Sequence, residues 1–456
     1  MAIWNIVERA EIVRRERMDA EYFQPDYLKR ERILQRLPCH TLGSLGFVTD
    51  GIHASPDVVE EGGVRYLSAK CVKDNEFSLA DTLEISHTQD SANVRTRLRE
   101  GDLLLTTVGT IGNAAVVQPE FLPANIDRHL GLIRMRPDAP VDAYFTATFL
   151  NSSFGRFQSL RESTGNVQLN LFIEKIKTLQ IPALPGAKAI SEKTRYAYDL
   201  RRKAMALISD AENLILSTVH LTSADLSPSL WYERDFEDLS AARRFGAEYF
   251  MPCKQRVLDT LAQKSRGPLS TYYTSARDLF DANGARHGEL VRNFDLTDAL
   301  NPVLDDRLPP VPAIEIGSTK KRFQAGDVVI SRLRAYLREI ALVRTTDTIP
   351  AVGSSEFIVL RPRGAAQKHS LSPETLLIFL RSLPVQTILK WSQDGSQHPR
   401  FNEDGLLAIP IPVAVESIGP QVDKLVNEAL AAQANASQLV AEATAEIEEL
   451  VLKGAK

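Results

Sequence analysis

Two short polar stretches carry the side chains best suited to directional recognition. One follows Gly165 and supplies Asn166, Gln168 and Asn170; the other follows Gly395 and supplies Gln397, His398, Arg400 and Asn402. A primary amide sets a donor beside an acceptor, which matches the adenine edge in a DNA major groove. A guanidinium offers paired donors, which match guanine. Two further groups extend the set: Arg128-His129 ahead of an apolar run, and Arg332, Arg334 and Arg338 around Tyr336. Lys70 is a further candidate DNA contact, and the remaining lysines and arginines suit phosphates, which fix register without reading sequence. Taken singly, most such residues in loops are merely solvated, and Tyr336 is read as a packing residue. The two glycine-centred loops as units point to DNA.

Catalytic patterns are missing from the chain. No glycine-rich loop ends in Gly-Lys-Ser/Thr. Val108-Gly109-Thr110-Ile111-Gly112-Asn113 lacks the third glycine and later acid of a dinucleotide cradle, and Asn301-Pro302-Val303-Leu304 departs after two residues from the Asn/Asp-Pro-Pro-aromatic run of amino-methyltransferases. The eight histidines are scattered. No catalytic residue, metal site or resident cofactor is expected, so the chain reads as a recognition protein and not an enzyme.

The elements that must hold these loops occur twice. Trp4, Ala20-Glu21-Tyr22-Phe23 and Pro25 return as Trp231, Ala247-Glu248-Tyr249-Phe250 and Pro252, all at an offset of 227. A period that long means two domain copies and not a solenoid. Each copy opens with a helical lead-in (about 5–37 and 232–265), and the Ala-Glu-Tyr-Phe blocks look like a lid or docking helix. A β-rich stretch follows. There Gly101-Asp102-Leu103-Leu104-Leu105 answers Gly326-Asp327-Val328-Val329-Ile330, a turn into a buried strand. Leu132–Pro137 answers Phe357–Pro362 at an offset of 225. Next come one amphipathic helix (143–160 and 373–391), the polar loop, and an exit strand ended by proline at Ile181-Pro182 and Ile409-Pro410.

A long helix closes each copy. Ile190, Ala197, Ala204 and Ala211 recur every seven residues beside Lys193, Leu200, Leu207 and Leu214; Val422, Ala429, Ala436, Ala443 and Leu450 recur beside Leu425, Ala432 and Leu439. Alanine on one seam line lets two helices approach closely, so the pair is expected to form an antiparallel coiled coil. Opposite charge favours it: 188–216 is net +2 and 415–453 net −5. A basic stretch, 318–344, carries net +5 within the second copy. A helix of about 29 residues is roughly 43 Å long, a ruler of about 13 base pairs.

The expected fold is therefore α+β: two tandem mixed α/β target-recognition domains joined by two long antiparallel helices with pseudo-two-fold symmetry. The boundaries are 1–186 for the first lead-in and domain, 187–225 for the first spacer helix, 226–413 for the second lead-in and domain, and 414–456 for the second spacer helix. Bulk composition agrees with a globular chain of this size: 456 residues, 44% hydrophobic, 25% charged and net charge −4. Three spaced cysteines, the lack of an apolar run of membrane-spanning length and a charged N-terminus fit a cytoplasmic protein.

This layout resembles the specificity (S) subunit of type I restriction-modification systems. The residues that carry the resemblance are Asp50-Gly51 with Ser55-Pro56, Gly63–Leu67, Gly101–Leu105 leading to Gly109-Thr110-Ile111-Gly112, Gly165 with Gln168-Leu169-Asn170, and Ile181-Pro182 before a long helix. The second copy departs from the pattern, with Leu333-Arg334-Ala335-Tyr336-Leu337 where the first has its glycines. The resemblance implies that each domain reads half of a split double-stranded DNA site. It also implies that the helices set the spacing and dock two methyltransferase (M) subunits, which carry S-adenosylmethionine and methylate adenine N6. A restriction motor (R) subunit is a further partner of the family. Two other readings stay open: a recognition subunit of another methylation-linked phage-defence system, and a free-standing DNA-modifying enzyme.

Overall fold

In the computed structural model, residues 5–79, 82–165, 168–281, 284, 288–364 and 370–455 are described. Trp4 and Asn166 lie outside them. The chain divides into two compact units, Met1–Arg201 with Ala434–Lys456, and Arg202–Gln433. Each is α+β and takes part of both long helices.

The core of the first unit is an antiparallel sheet ordered Gly46–Asp50, Leu130–Met135, Leu103–Thr106, Ala114–Val116. All four residues of Leu103–Thr106 are buried because both faces are covered. Leu103 and Leu105 point into a cluster with Phe145, Phe149, Phe157, Ile190 and Ile447, whereas Leu104 joins Leu67, Ile126 and Leu132 on the other side. A second four-stranded sheet (Ala124–Ile126, Val64–Leu67, Leu83–Ile85, Val58–Val59) lies in the same unit.

The second unit repeats this plan. Its sheet runs Tyr273–Ser275, Phe357–Pro362, Val328–Ser331, Ile340–Arg344, and adds Val303–Asp305 at the edge in parallel. Val328 and Ile330 face one cluster and Val329 the other. The proline-ended exits pair back to the entry of each unit, Gln180–Pro182 with Cys39–Thr41 and Pro410–Pro412 with Ser265–Pro268.

A buried ion pair marks the repeat. Asp102 accepts from Arg134 Nε and Nη2, both at 2.7 Å; Asp327 accepts from Arg361 Nε and Nη2, both at 2.8 Å. This corrects the strand alignment. Arg134 answers Arg361 at an offset of 227, so the Arg-Pro match at 225 is a coincidence two residues out of register.

The single amphipathic helix expected in each copy is two helices, Ala143–Asn151 with Ser153–Glu162 and Pro373–Arg381 with Leu383–Lys390. Ser152 and Ser382 break them. Both serines are extended and fully buried, and each hydroxyl donates at 2.6 Å to the carbonyl three residues back. Pro384 cannot donate to a continuing helix. The lead-ins are likewise short helices, Arg9–Arg15 and Pro25–Leu34, then Phe236–Ala242 and Pro252–Ala262. The first Ala-Glu-Tyr-Phe block is a turn, and the second is one turn of 3-10 helix, Ala247–Phe250. Tyr22 is buried with Arg161 stacked 4.0 Å from its ring centre, and Tyr249 has Lys254 Nζ at 3.5 Å.

The long helices are Ala187–Val219 and Val413–Gly454, 33 and 42 residues. Ala197, Ala204, Ala211, Ala429 and Ala436 are buried. Leu200, Leu207, Leu214, Leu425 and Leu439 are half-buried. The fully buried companions stand four residues after the seven-residue line, at Thr194, Ile215, Val426 and Ile447. Within the first unit the helices run antiparallel: Lys193 Nζ is 2.7 Å from Glu446 Oε2, while Gly186 faces Leu450. Within the second, Ala211, Ile215 and Val219 share a core with Val415, Val422 and Val426.

Candidate nucleic-acid interface

Both units build the same backbone frame around the end of the buried strand. In the first, Thr107 N donates to His129 O at 3.0 Å and Leu171 N donates to Thr107 O at 2.9 Å. In the second, Arg332 N donates to Glu356 O at 3.1 Å and Phe401 N to Arg332 O at 3.2 Å. The polar loop closes on itself in each, Thr164 bridging Asn170 and Asp394 bridging Arg400. Glycine is needed at the tip: Gly165 has φ +138°, and a Cβ there would meet Gln168 O at 2.1 Å, while Gly395 has φ +95°. Buried Leu171 and Phe401 anchor the loop ends. The frame thus places Thr107, His129 and Asn170 in one unit where Arg332, Glu356 and Arg400 stand in the other.

In the first unit this frame opens onto a cleft of about 360 Å³ whose lining includes Asp50, His53, Arg128, His129, Gln168 and Asn170. Four sequence candidates meet here. The acids are matched by nearby groups: His53 Nε2 is 2.6 Å from Asp50, and His129 Nδ1 is 3.0 Å from Asp127. Burial pushes the Asp50 carboxyl up, but the hydrogen bond from His53, aided by Arg95, holds it below the usual range. Leu169 and Phe172 are exposed apolar residues in the same lining. Lys70 is exposed, on the turn Ala69–Cys71, and is not part of this lining.

In the second unit Glu356 is the hub. Arg332 Nε donates to Oε2 at 2.8 Å, and Arg400 Nη2 to Oε1 at 2.9 Å. The hydrogen bonds from Arg400, then those from Arg332, hold the Glu356 carboxyl down to about 2. Arg334 Nη2 lies 3.3 Å from His398 Nδ1, and Gln397 is exposed beside it. Two candidates turn elsewhere. Arg338 pairs with Glu212 on the first long helix at 3.3 Å, and Asn402 caps the helix Glu403–Leu407, accepting from Gly405 N at 2.7 Å. Tyr336, expected to pack, is 62% exposed on the turn Ala335–Leu337. Arg334 and Arg338 adopt left-handed backbone, φ +50° and +52°, where the first unit has Gly109 and Gly112 at +75° and +90°. The turn is therefore retained although its glycines are not.

Asp50, His53, Thr107 and Glu356 were not among the candidate contacts, Asp50 entering only through the family resemblance. For Glu356 the signal existed: it stands 227 residues after His129, at the offset of the repeat. Among the described residues no group of three or more His, Cys, Asp or Glu is placed to hold a metal ion, and no helix is long and apolar enough to cross a membrane.

No family model and no curated protein matches this chain. Solved structures align along nearly all of it. The type I restriction-modification system S subunit from M. genitalium is 14% identical over 91% of this chain and 95% of its own, with a TM-score of 0.38. The HsdS subunit from Thermoanaerobacter tengcongensis is 16% identical over 92% of this chain and 96% of its own, at 0.29. A chain from a structure of type I R-M complex assembly and conformational transition is 16% identical over 92% and 98%, also at 0.29.

Proposed function

We propose that this chain is the DNA-specificity subunit of a type I restriction-modification complex. Each unit reads one half of a bipartite duplex site, and the long helices set the half-site separation. Two methyltransferase subunits, carrying S-adenosylmethionine, dock on the chain and methylate adenine N6; a motor-nuclease subunit completes the restriction form. The chain itself is non-catalytic and acts in the cytoplasm. The observation that carries this reading is the repeated loop frame with unlike side chains: a Thr107–His129–Asn170 set in one unit and an Arg332–Glu356–Arg400 ion-pair set in the other. One scaffold with two chemistries suits two half-sites of different sequence. Base edges are read by side chains of this kind, whereas phosphates only position the protein.

The test is co-expression with a type I methyltransferase subunit, followed by mapping of methylated adenines. The expected motif is split, its halves centred about one helical turn apart, and methylation requires both polypeptides. A short continuous motif, or methylation by this chain alone, contradicts the proposal.

A further inference from the structure

The charged cluster of the second unit fixes one arginine in place. Arg332 gives its Nε to Glu356, and its two terminal nitrogens make no bond within the described residues. Glu356 is itself held by Arg400, whose Nη1 donates to His398 O at 3.0 Å. Arg332 and Arg400 side chains are 46% and 41% exposed, and Glu356 22%. Arg332 therefore presents an end-on fork whose direction is set by a carboxylate behind it. Such a group is poorly suited to phosphate, because the ionised Glu356 beside it repels an anion and cancels half of the arginine charge. It is well suited to a base edge with two adjacent acceptors. In the major groove only guanine offers that pair, O6 and N7; adenine pairs an acceptor with a donor, cytosine offers a donor, and thymine offers one acceptor beside a methyl.

We infer that Arg332 reads a guanine in the half-site of the second unit, with Glu356 as the residue that positions it. The inference rests on the DNA reading above and adds the base and the residue. The equivalent position in the first unit is Thr107, with His129 behind it, so this guanine is a feature of one half-site and not of both.

The test selects duplexes from a randomised pool with the full chain in complex with its methyltransferase. The wild-type complex is expected to enrich a guanine at one position of one half-site. Arg332→Gln is expected to move the preference at that position from guanine to adenine, because an amide matches the adenine edge. Glu356→Gln is expected to lower guanine discrimination there by roughly ten- to a hundred-fold, the range of one bidentate contact, and to leave the other positions alone. Arg332→Lys, a cation without the planar fork, serves if the glutamine variant fails to fold, and is expected to lose most of the discrimination at that same position. If Glu356 were only structural, its variant would melt lower and bind every sequence more weakly with an unchanged base profile. That result, or an unchanged profile in the Arg332 variants, overturns the inference while leaving the DNA reading intact. A wild-type complex that enriches no sequence at all overturns both.

Discussion

Under the proposed function, Arg334 serves recognition at the expense of the fold. Its left-handed backbone occupies the place of Gly109 in the first unit. A side chain in that conformation costs about 1–2 kcal/mol, while glycine returns part of this through lost chain entropy, about 0.5–1 kcal/mol. If Arg334 contacts DNA, as proposed, its guanidinium beside His398 offsets that strain. Arg334→Gly is therefore expected to raise stability by up to about 1 kcal/mol in chemical denaturation while weakening DNA binding measurably. Destabilisation on losing this side chain would show that it holds the turn together. The sequence alone could not rank Arg334 against Arg338, because the difference lies in where each side chain ends. Arg338 reaches Glu212, which is 126 residues away along the chain. The same limit hid Arg332, Glu356 and Arg400 as a group: strand end, neighbouring strand and loop come together only through the frame.

At the scale of elements, the second lead-in buries a cation against its own unit. Lys254, on the helix Pro252–Ala262, lies under the Tyr249 ring and donates to Trp391 O at 3.4 Å, just past the helix Leu383–Lys390. Burial, with the charges of Arg244 and Arg234, lowers its pKa to about 8. The unfolded chain keeps this proton up to about pH 10.4. Between those values the unfolded state binds more protons than the folded one, so stability rises with pH across the window and this contribution is lost below it. Lys254→Met is expected to be the more stable form at pH 7, and to lack the part of the gain between pH 7 and 9.5 that Lys254 supplies. Equal pH slopes in the two proteins, followed by urea denaturation, would remove the buried charge from the account. What was legible at this scale followed hydrophobic period. The runs after Gly101-Asp102 and Gly326-Asp327 read as buried strands because both faces are covered, and the alanine lines read as seams because they recur every seven residues. The break at Ser382 had a signal in Pro384, but the one at Ser152 did not, its cause being a serine hydroxyl turned back on its own helix.

At the scale of the whole molecule, each unit takes the start of one long helix and the end of the other. The first unit uses Ile190, Tyr198, Ala443, Ile447 and Val451 in its core, and the second uses Ala211, Ile215, Val219, Val415, Val422 and Val426. The stretches between these sets, about 199–210 and 431–442, contribute little to either core, Ile208 and Leu430 marking their edges. Under the proposed function they are the adjustable part of the ruler. Inserting one heptad after Lys203 and one after Asn435 would keep every seam face in phase, since seven residues fall only about 20° short of two full turns. It would lengthen the rods by about 10 Å, or roughly 3 base pairs. The methylation motif is expected to keep both half-sequences and gain about 3 unspecified base pairs between them. Methylation should also slow, because those base pairs turn the second half-site by about 100° around the duplex, at 10–10.5 base pairs per turn. Sequencing of methylated adenines reads both effects. If the half-sequences themselves changed, the helices would be shaping the loops. If the gap stayed fixed while methylation continued, something other than the helices would set the distance, and the antiparallel seam would be only a core.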